Sequence, residues 1–182
     1  MASEKLPTLL LQVCCAPDAT VVIERMRADY DITVYYYNPN IQPESEYKLR
    51  VEEMQRLAAE MNVPCKIGPY DSKRWLQLVR GLEQLPEGDK RCEVCFRMRL
   101  EQTARKAAAE GFDFFTTVLT VSPHKDAALI NSLGREIGEK FQIKFIEENF
   151  KKKDGFKRSI ELSREYNLYR QNYCGCIYSK RD

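Results

Sequence analysis

The sequence predicts an α/β fold, a doubly wound α/β/α sandwich on a mostly parallel five-stranded sheet. Apolar, β-branched or aromatic runs recur along the chain, beginning with Thr8–Val13. Between them lie stretches of about a dozen residues with apolar positions at helical spacing. Strands joined by helices of that length imply βαβ crossovers, and so a parallel sheet covered on both faces.

The elements follow in order. Thr8–Val13 reads as a buried strand that runs into Cys14-Cys15, with a helix from about Pro17 to Ala28. Ile32–Tyr37 is the second strand, closed by the turn residues Asn38-Pro39-Asn40. Glu44–Met61 carries Tyr47, Val51, Met54, Leu57, Ala58 and Met61 at helical spacing. Val63–Ile67 is the third strand, and Asp71 is placed to cap a helix starting near Lys73. Cys92–Glu110 is a helix stopped by Gly111, and Phe114–Thr120 is the fourth strand. Ser122-Pro123 opens a helix towards Lys140, and Ile143–Ile146 is the fifth strand. Residues 1–150 thus form the core. Residues 151–182 are expected to add a lysine-rich loop, a short helix and a cysteine-bearing tail packed on the same domain.

Composition narrows the function classes. Of the 182 residues, 43% are hydrophobic and 31% charged, the balance of a water-soluble globular chain. The first apolar run is far too short to span a bilayer. Met1–Pro7, with acidic Glu4, does not read as a signal peptide. A cytoplasmic protein with no membrane partner is expected. The net charge of +2 is unevenly spread: residues 151–182 hold nine Lys/Arg against four Asp/Glu, while the rest holds 20 against 23. A basic segment on an otherwise acidic chain is the electrostatic footprint of phosphate binding.

The cysteines carry the chemistry. Six of the seven come in pairs, Cys14-Cys15, Cys92-x-x-Cys95 and Cys174-Gly-Cys176. In a reducing compartment such pairs are metal ligands or redox groups more often than bridges. Soft thiolates at this density select zinc, copper or iron–sulfur clusters. Six exceed the four that one structural zinc or one cubane needs. They therefore suit two metal centres, or one cluster and a redox-active thiol pair. Cys92 and Cys95, one helical turn apart, can serve two corners of one cluster. Adjacent residues of a strand point in opposite directions, so Cys14 and Cys15 are expected to serve different groups. One member of each outer pair would then join Cys92 and Cys95. The same reasoning holds more loosely for Cys174 and Cys176, because Gly175 can fold the backbone back. Asp18, a turn beyond Cys14, offers an oxygen ligand. Cys65, inside a strand, reads as core.

In open α/β sheets ligands bind beyond the carboxyl ends of the strands, which is where Cys14-Cys15 and the Thr120–Asp126 segment fall. The loop from Cys14 to Thr20 holds no glycine, and Pro17 removes a donor N–H, so it is no phosphate cradle. His124 and Lys125 lie near the expected crevice and join Asp18 as candidates for proton transfer.

Five stretches together resemble the QueH-type epoxyqueuosine reductases. They are Cys14-Cys15-Ala16-Pro17; Tyr37-Asn38-Pro39-Asn40-Ile41 with Pro43, Glu46 and Tyr47; and Asp89, Arg91, Cys92 and Cys95. Thr120-Val121-Ser122-Pro123-His124-Lys125-Asp126 and Tyr169–Cys176 complete the set, in order along the chain. The resemblance implies a fold related to the adenine-nucleotide α-hydrolase (HUP-like) group. It implies a 4Fe–4S cluster and an adjacent mononuclear metal, with iron expected, on Cys14, Cys15, Cys92, Cys95, Cys174, Cys176 and Asp18. It also implies an oxidoreductase, independent of cobalamin, that removes the epoxide oxygen of epoxyqueuosine in tRNA with electrons from an external donor. In that setting Lys151, Lys152, Lys153, Lys157 and Arg158 are candidates for phosphate contacts. Tyr37, with Tyr35, Tyr36, Tyr47, Tyr169 and Tyr173, is a candidate for stacking on a base. Two competing readings are a tRNA sulfur transferase, which the glycine-free loop disfavours, and a zinc-stabilised nucleic-acid-binding module.

Overall fold

Thr8–Val13 (β1), Asp31–Tyr36 (β2), Cys65–Ile67 (β3), Phe114–Thr117 (β4) and Lys144–Phe145 (β5) form one sheet in the order β3-β2-β1-β4-β5, and every neighbouring pair is parallel. This computed structural model describes residues 4–180. Met1–Ser3, at the head of the segment read against a signal peptide, and the last two residues of the tail, Arg181 and Asp182, lie outside the described residues. In β1 Leu9, Leu10 and Leu11 are all fully buried. Successive side chains of a strand face opposite ways, so three leucines in a row require cover on both faces. β1 is accordingly the central strand.

The cover comes from Ala16–Met26 (α1), Glu44–Glu60 (α2), Ser72–Leu78 (α3), Lys90–Ala109 (α4), Ala127–Phe141 (α5) and Gly155–Glu165 (α6). α1 packs on α2 and α6, and α4 packs on α5, giving the two helical layers of a doubly wound sandwich. Small residues allow the closest approach: a Cβ on Gly134 of α5 would sit 2.3 Å from the Phe145 ring of β5.

Two expected boundaries move by three residues or more, and both shape the site. β4 stops at Thr117 rather than Thr120, and Leu119–Val121 forms a turn of 3-10 helix. Thr117 Oγ1 accepts the Leu119 N–H at 3.2 Å, a local bond that competes with the sheet ladder. The next helix starts at Ala127, not at Ser122-Pro123. Asp126 caps it by accepting the Ala128 and Leu129 N–H groups at 2.9 and 3.2 Å, worth about 1 kcal/mol. Ser122–Lys125 is therefore loop. Asp71 precedes α3 as expected but accepts the Tyr37 hydroxyl at 2.9 Å instead of capping.

The chain runs outward from β1 through β2 to β3, then crosses back to β4 on the other side of β1. The carboxyl ends of β1 and β4 are thus the topological switch point, where the two crossovers diverge and leave a crevice.

Candidate metal centre

At the switch point a buried polar network fixes the strand ends. Gln12, the one polar residue in β1 after Thr8, is fully buried. Its Oε1 accepts the Thr117 hydroxyl at 2.7 Å, and its Nε2 reaches Asn38 Oδ1 at 3.3 Å. Asn38 Nδ2 donates to the Val13 carbonyl at 2.8 Å. β1, β2 and β4 are thereby tied together one residue short of Cys14.

Cys14 lies past the end of β1, and Cys15 is the extended residue that opens α1. Their Sγ atoms are 3.8 Å apart, and Cys14 Sγ is 3.7 Å from Asp18 Oδ2. Both sulfurs and a carboxylate oxygen lie within 4.8 Å of one another, all buried. The two sulfurs therefore lie on one side, against the expectation from strand alternation that Cys14 and Cys15 point in opposite directions. Strand alternation no longer applies at residues 14 and 15, because the chain has already turned into the helix, and the i, i+4 geometry brings Asp18 back over Cys14.

The three groups perturb one another and are perturbed by burial. Cys14 loses its proton more easily than an ordinary thiol, because the Cys15 thiol can donate to it. That same hydrogen bond, and then burial, push Cys15 well up. Burial also raises the Asp18 carboxyl, against the opposing charges of Lys125 and Arg170.

The other thiols arrive from α4 and the tail. Cys92 and Cys95 occupy the first two turns of α4. Cys92 Sγ accepts the Gly88 N–H at 3.2 Å, and burial raises the Cys95 thiol despite nearby Arg99. The tail is held from outside the centre. Arg50 of α2 donates to the carbonyls of Tyr173 and Cys174 at 3.1 and 2.9 Å while Glu46 holds its Nε at 2.8 Å. Gly175 has φ +120°, and a Cβ there would meet Ile41 at 2.7 Å. Burial pushes the Cys176 thiol up to about 11.

Cys14, Cys92, Cys95, Cys174 and Cys176 line one cavity with Trp75, Arg91, Arg99, His124 and Lys125, enclosing about 600 Å³ that is partly open to solvent. A more polar cleft adjoins it, lined by Asp18, Phe156, Arg170, Asn172 and Tyr173 and sharing Glu87, His124, Lys125 and Cys174. His124 and Lys125 therefore stand where the two meet. Burial works against the charge of Lys125, but the anions of Cys14 and Asp18 outweigh it, and its pKa is raised.

Cys65 lies in β3, partly buried against the core and away from the cavity, and burial raises its thiol to about 11. Tyr37 is a correction. It is fully buried and stacked on Tyr35 at 6.1 Å, so it offers no face to a base. Tyr36 and Tyr47 are buried as well, while Tyr169 is 37% exposed. Lys152, Lys153 and Lys157 are exposed. Lys151 is partly buried and donates to the Lys125 carbonyl at 3.1 Å. Arg158 is occupied by Glu24, Glu161 and Glu165 at 2.7, 3.2 and 3.2 Å, so its guanidinium is not free for phosphate.

The sequence reasoning passed over Gln12, Trp75 and Arg99, and read Arg50 only as an alternative contact for tRNA phosphates. The signal for Gln12 was its polarity inside an apolar strand, and for Arg50 its i, i+4 spacing from Glu46. Arg99 follows Cys95 by one helical turn and Trp75 is the single tryptophan, but nothing local shows either facing the thiols.

The family model described as epoxyqueuosine reductase QueH matches residues 9–182. The chain is 42% identical over 181 residues to the epoxyqueuosine reductase QueH of Streptococcus pyogenes serotype M1, covering 96% of this chain and 71% of that one. It is 40% identical over 175 residues to the protein of the same name from Thermotoga maritima, covering 94% and 90%. Among solved structures it resembles the U34-tRNA thiolase NcsA from Methanococcus maripaludis with its 4Fe–4S cluster. That match has a TM-score of 0.62 and 14% identity, and covers 98% of this chain and 63% of that one. A structure titled as a predicted subunit of tRNA methyltransferase from Methanocaldococcus jannaschii matches with TM-score 0.59 at 16% identity, covering 88% and 75%. At these identities the two structures show a shared fold.

Proposed function

The chain belongs to the QueH family of epoxyqueuosine reductases, and from that premise we propose that it reduces epoxyqueuosine to queuosine at the wobble position of tRNA, with a 4Fe–4S cluster and a second metal, iron, in the thiol-lined centre. The overall change adds two electrons and two protons to the substrate, forms the ring double bond and releases the epoxide oxygen as water. An external donor supplies the electrons.

The observation that carries this reading is the donor set and its unmet bonds. Five buried side-chain polar atoms among the described residues have no partner, and three of them, Asn40 Oδ1, Trp75 Nε1 and Arg91 Nε, belong to residues lining the thiol cavity. Buried donors are rarely left unsatisfied, and those of Trp75 and Arg91 suit an occupant with anionic sulfur. The residues therefore fit the groups the family implies. Cys14, Cys15 and Asp18 would hold the second metal, being mutually within reach. Cys92, Cys95, Cys174 and Cys176 would hold the cluster. The chemistry supplied when these groups are bound is delivery of single electrons and polarisation of a C–O bond.

The chain's own residues do the rest. The polar cleft beside the thiols receives the modified base, with Arg170, Asn172 and the faces of Phe156 and Tyr173 around it. Lys125, held as ammonium by Cys14 and Asp18, stands between cleft and thiols and supplies a proton to the leaving oxygen. His124, exposed at the same junction, relays protons from solvent. Lys152, Lys153 and Lys157 meet the phosphates of the anticodon stem. Residues 1–150 act as the core and 151–182 as its tRNA-facing and cluster-completing part. No helix among the described residues is long and apolar enough to cross a membrane, and a tRNA-modifying role places the protein in the cytoplasm.

The test is anaerobic purification followed by iron and sulfide assay, and incubation with epoxyqueuosine-containing tRNA and dithionite. Brown protein with about four cluster irons and conversion to queuosine supports the reading. Colourless protein that carries only zinc and converts nothing overturns it.

A further inference from the structure

Arg99 is 3% exposed, yet no carboxylate lies within salt-bridge distance of it among the described residues. Its hydrogen bonds are long and few: Nε to the Cys95 carbonyl and a terminal nitrogen to Asn38 Oδ1, both 3.4 Å. Its face lies 5.7 Å from the Phe96 ring. A guanidinium has five N–H donors and cannot shed its charge. Burying one without an anion is costly, and a fold normally avoids it. Arg99 instead lines the same cavity as Cys95, Cys14, Cys174 and Cys92, groups that become anionic as thiolates and that come from α4, the β1 end and the tail. Lys125 and Arg91 line the same cavity. The Gln12–Asn38 network that fixes the strand ends also holds Arg99 in place, since Asn38 Oδ1 accepts from both.

We propose that Arg99 is a positioning residue for the metal centre: a permanent buried cation whose partner is the metal–thiolate group itself rather than any side-chain carboxylate. It contributes charge balance to a centre of several thiolates and tethers thiols from three separate elements to one point. The Trp75 indole N–H acts beside it as a neutral donor. This rests on the thiols binding metal, not on the identity of that metal.

The test uses the full chain stripped of metal, with Cd(II) as the probe, because Cd(II) binds thiolates whatever their resident group. Parent, Arg99→Met and Arg99→Lys are titrated against a competing chelator, and the metal-free forms are melted. Arg99→Met is expected to bind Cd(II) about tenfold more weakly, with Arg99→Lys recovering much of the loss. The metal-free Arg99→Met protein should melt no lower than the parent, because an uncompensated buried charge has been removed. In reconstituted protein the same variant should make the one-electron reduction of the cluster about tenfold less favourable, a shift of 59 mV towards negative potential. Equal Cd(II) affinity in parent and Arg99→Met overturns the proposal. So does a metal-free Arg99→Met protein that melts well below the parent or fails to fold, since Arg99 would then be packing. Weakened Cd(II) binding by Arg99→Met, where the parent carries no iron or sulfide after anaerobic purification, would leave Arg99's role standing while the iron–sulfur reading fell.

Discussion

Arg50 donates to the carbonyl of Cys174 at 2.9 Å across 124 residues of sequence, and the two meet because Glu46 orients the guanidinium from one turn away. The cysteine tail is thus fastened by backbone carbonyls to a helix that supplies no thiol. Arg50→Ala should leave the partly buried Glu46 with only the Tyr169 hydroxyl and cost about 3 kcal/mol in thermal or urea unfolding. It should also free Cys174 and Cys176, which peptide mapping after brief iodoacetamide treatment of the metal-free protein would detect. Unchanged alkylation of both would show that the tail is held elsewhere.

The partition of ligands predicts two classes of variant. Cys92→Ala and Cys95→Ala should each abolish the visible absorption and the sulfide content. Cys15→Ala and Asp18→Ala should keep both and lose only the iron in excess of about four per chain. Iron and sulfide analysis of the four proteins separates the classes, and a full cluster in either α4 variant contradicts the assignment.

Cys65 should behave as a core thiol. Cys65→Ala should retain metal and turnover and lose about 1 kcal/mol of stability from the small cavity. Its thiol titrates at about 11 because burial favours the neutral form. At pH 8 only about one molecule in a thousand then carries the thiolate, the species that reacts. Alkylation of Cys65 should be slow there and rise roughly tenfold for each pH unit towards 11. Fast, pH-independent labelling near neutrality would mark an activated thiol instead.

The basic segment divides into free and occupied cations. Lys152, Lys153 and Lys157 are exposed, whereas Arg158 is held by three carboxylates. Replacing the three lysines with alanine should weaken tRNA binding and flatten its log–log salt dependence by about two units. Arg158→Ala should leave that slope unchanged and lower the melting temperature slightly, because the α1–α6 contact through Glu24 is lost. Filter binding over a salt series reads both. The triple variant keeping the parent slope would place the anticodon stem elsewhere, nearest Lys73 and Arg74.

Sequence alone determined the layered α/β architecture, the buried strand at Thr8–Val13, the thiol pairs and the family resemblance. These rest on patterns read within a few residues: leucines in succession, helical spacing, close cysteines, a glycine between two of them. Only the tertiary structure decided which side Cys14 and Cys15 share, since strand alternation and a helix start give opposite answers and the boundary falls between Val13 and Cys15. It alone showed Tyr37 spent on Asp71, Arg158 spent on three glutamates, and Arg99 in one cavity with thiols from three elements. A side chain's partner across the sheet is set by how elements pack, and 61 residues separate Arg99 from the Asn38 that holds it. The physical reason is one of range: burial pattern and helix propensity are local energies, whereas a charge's partner is chosen by the fold as a whole.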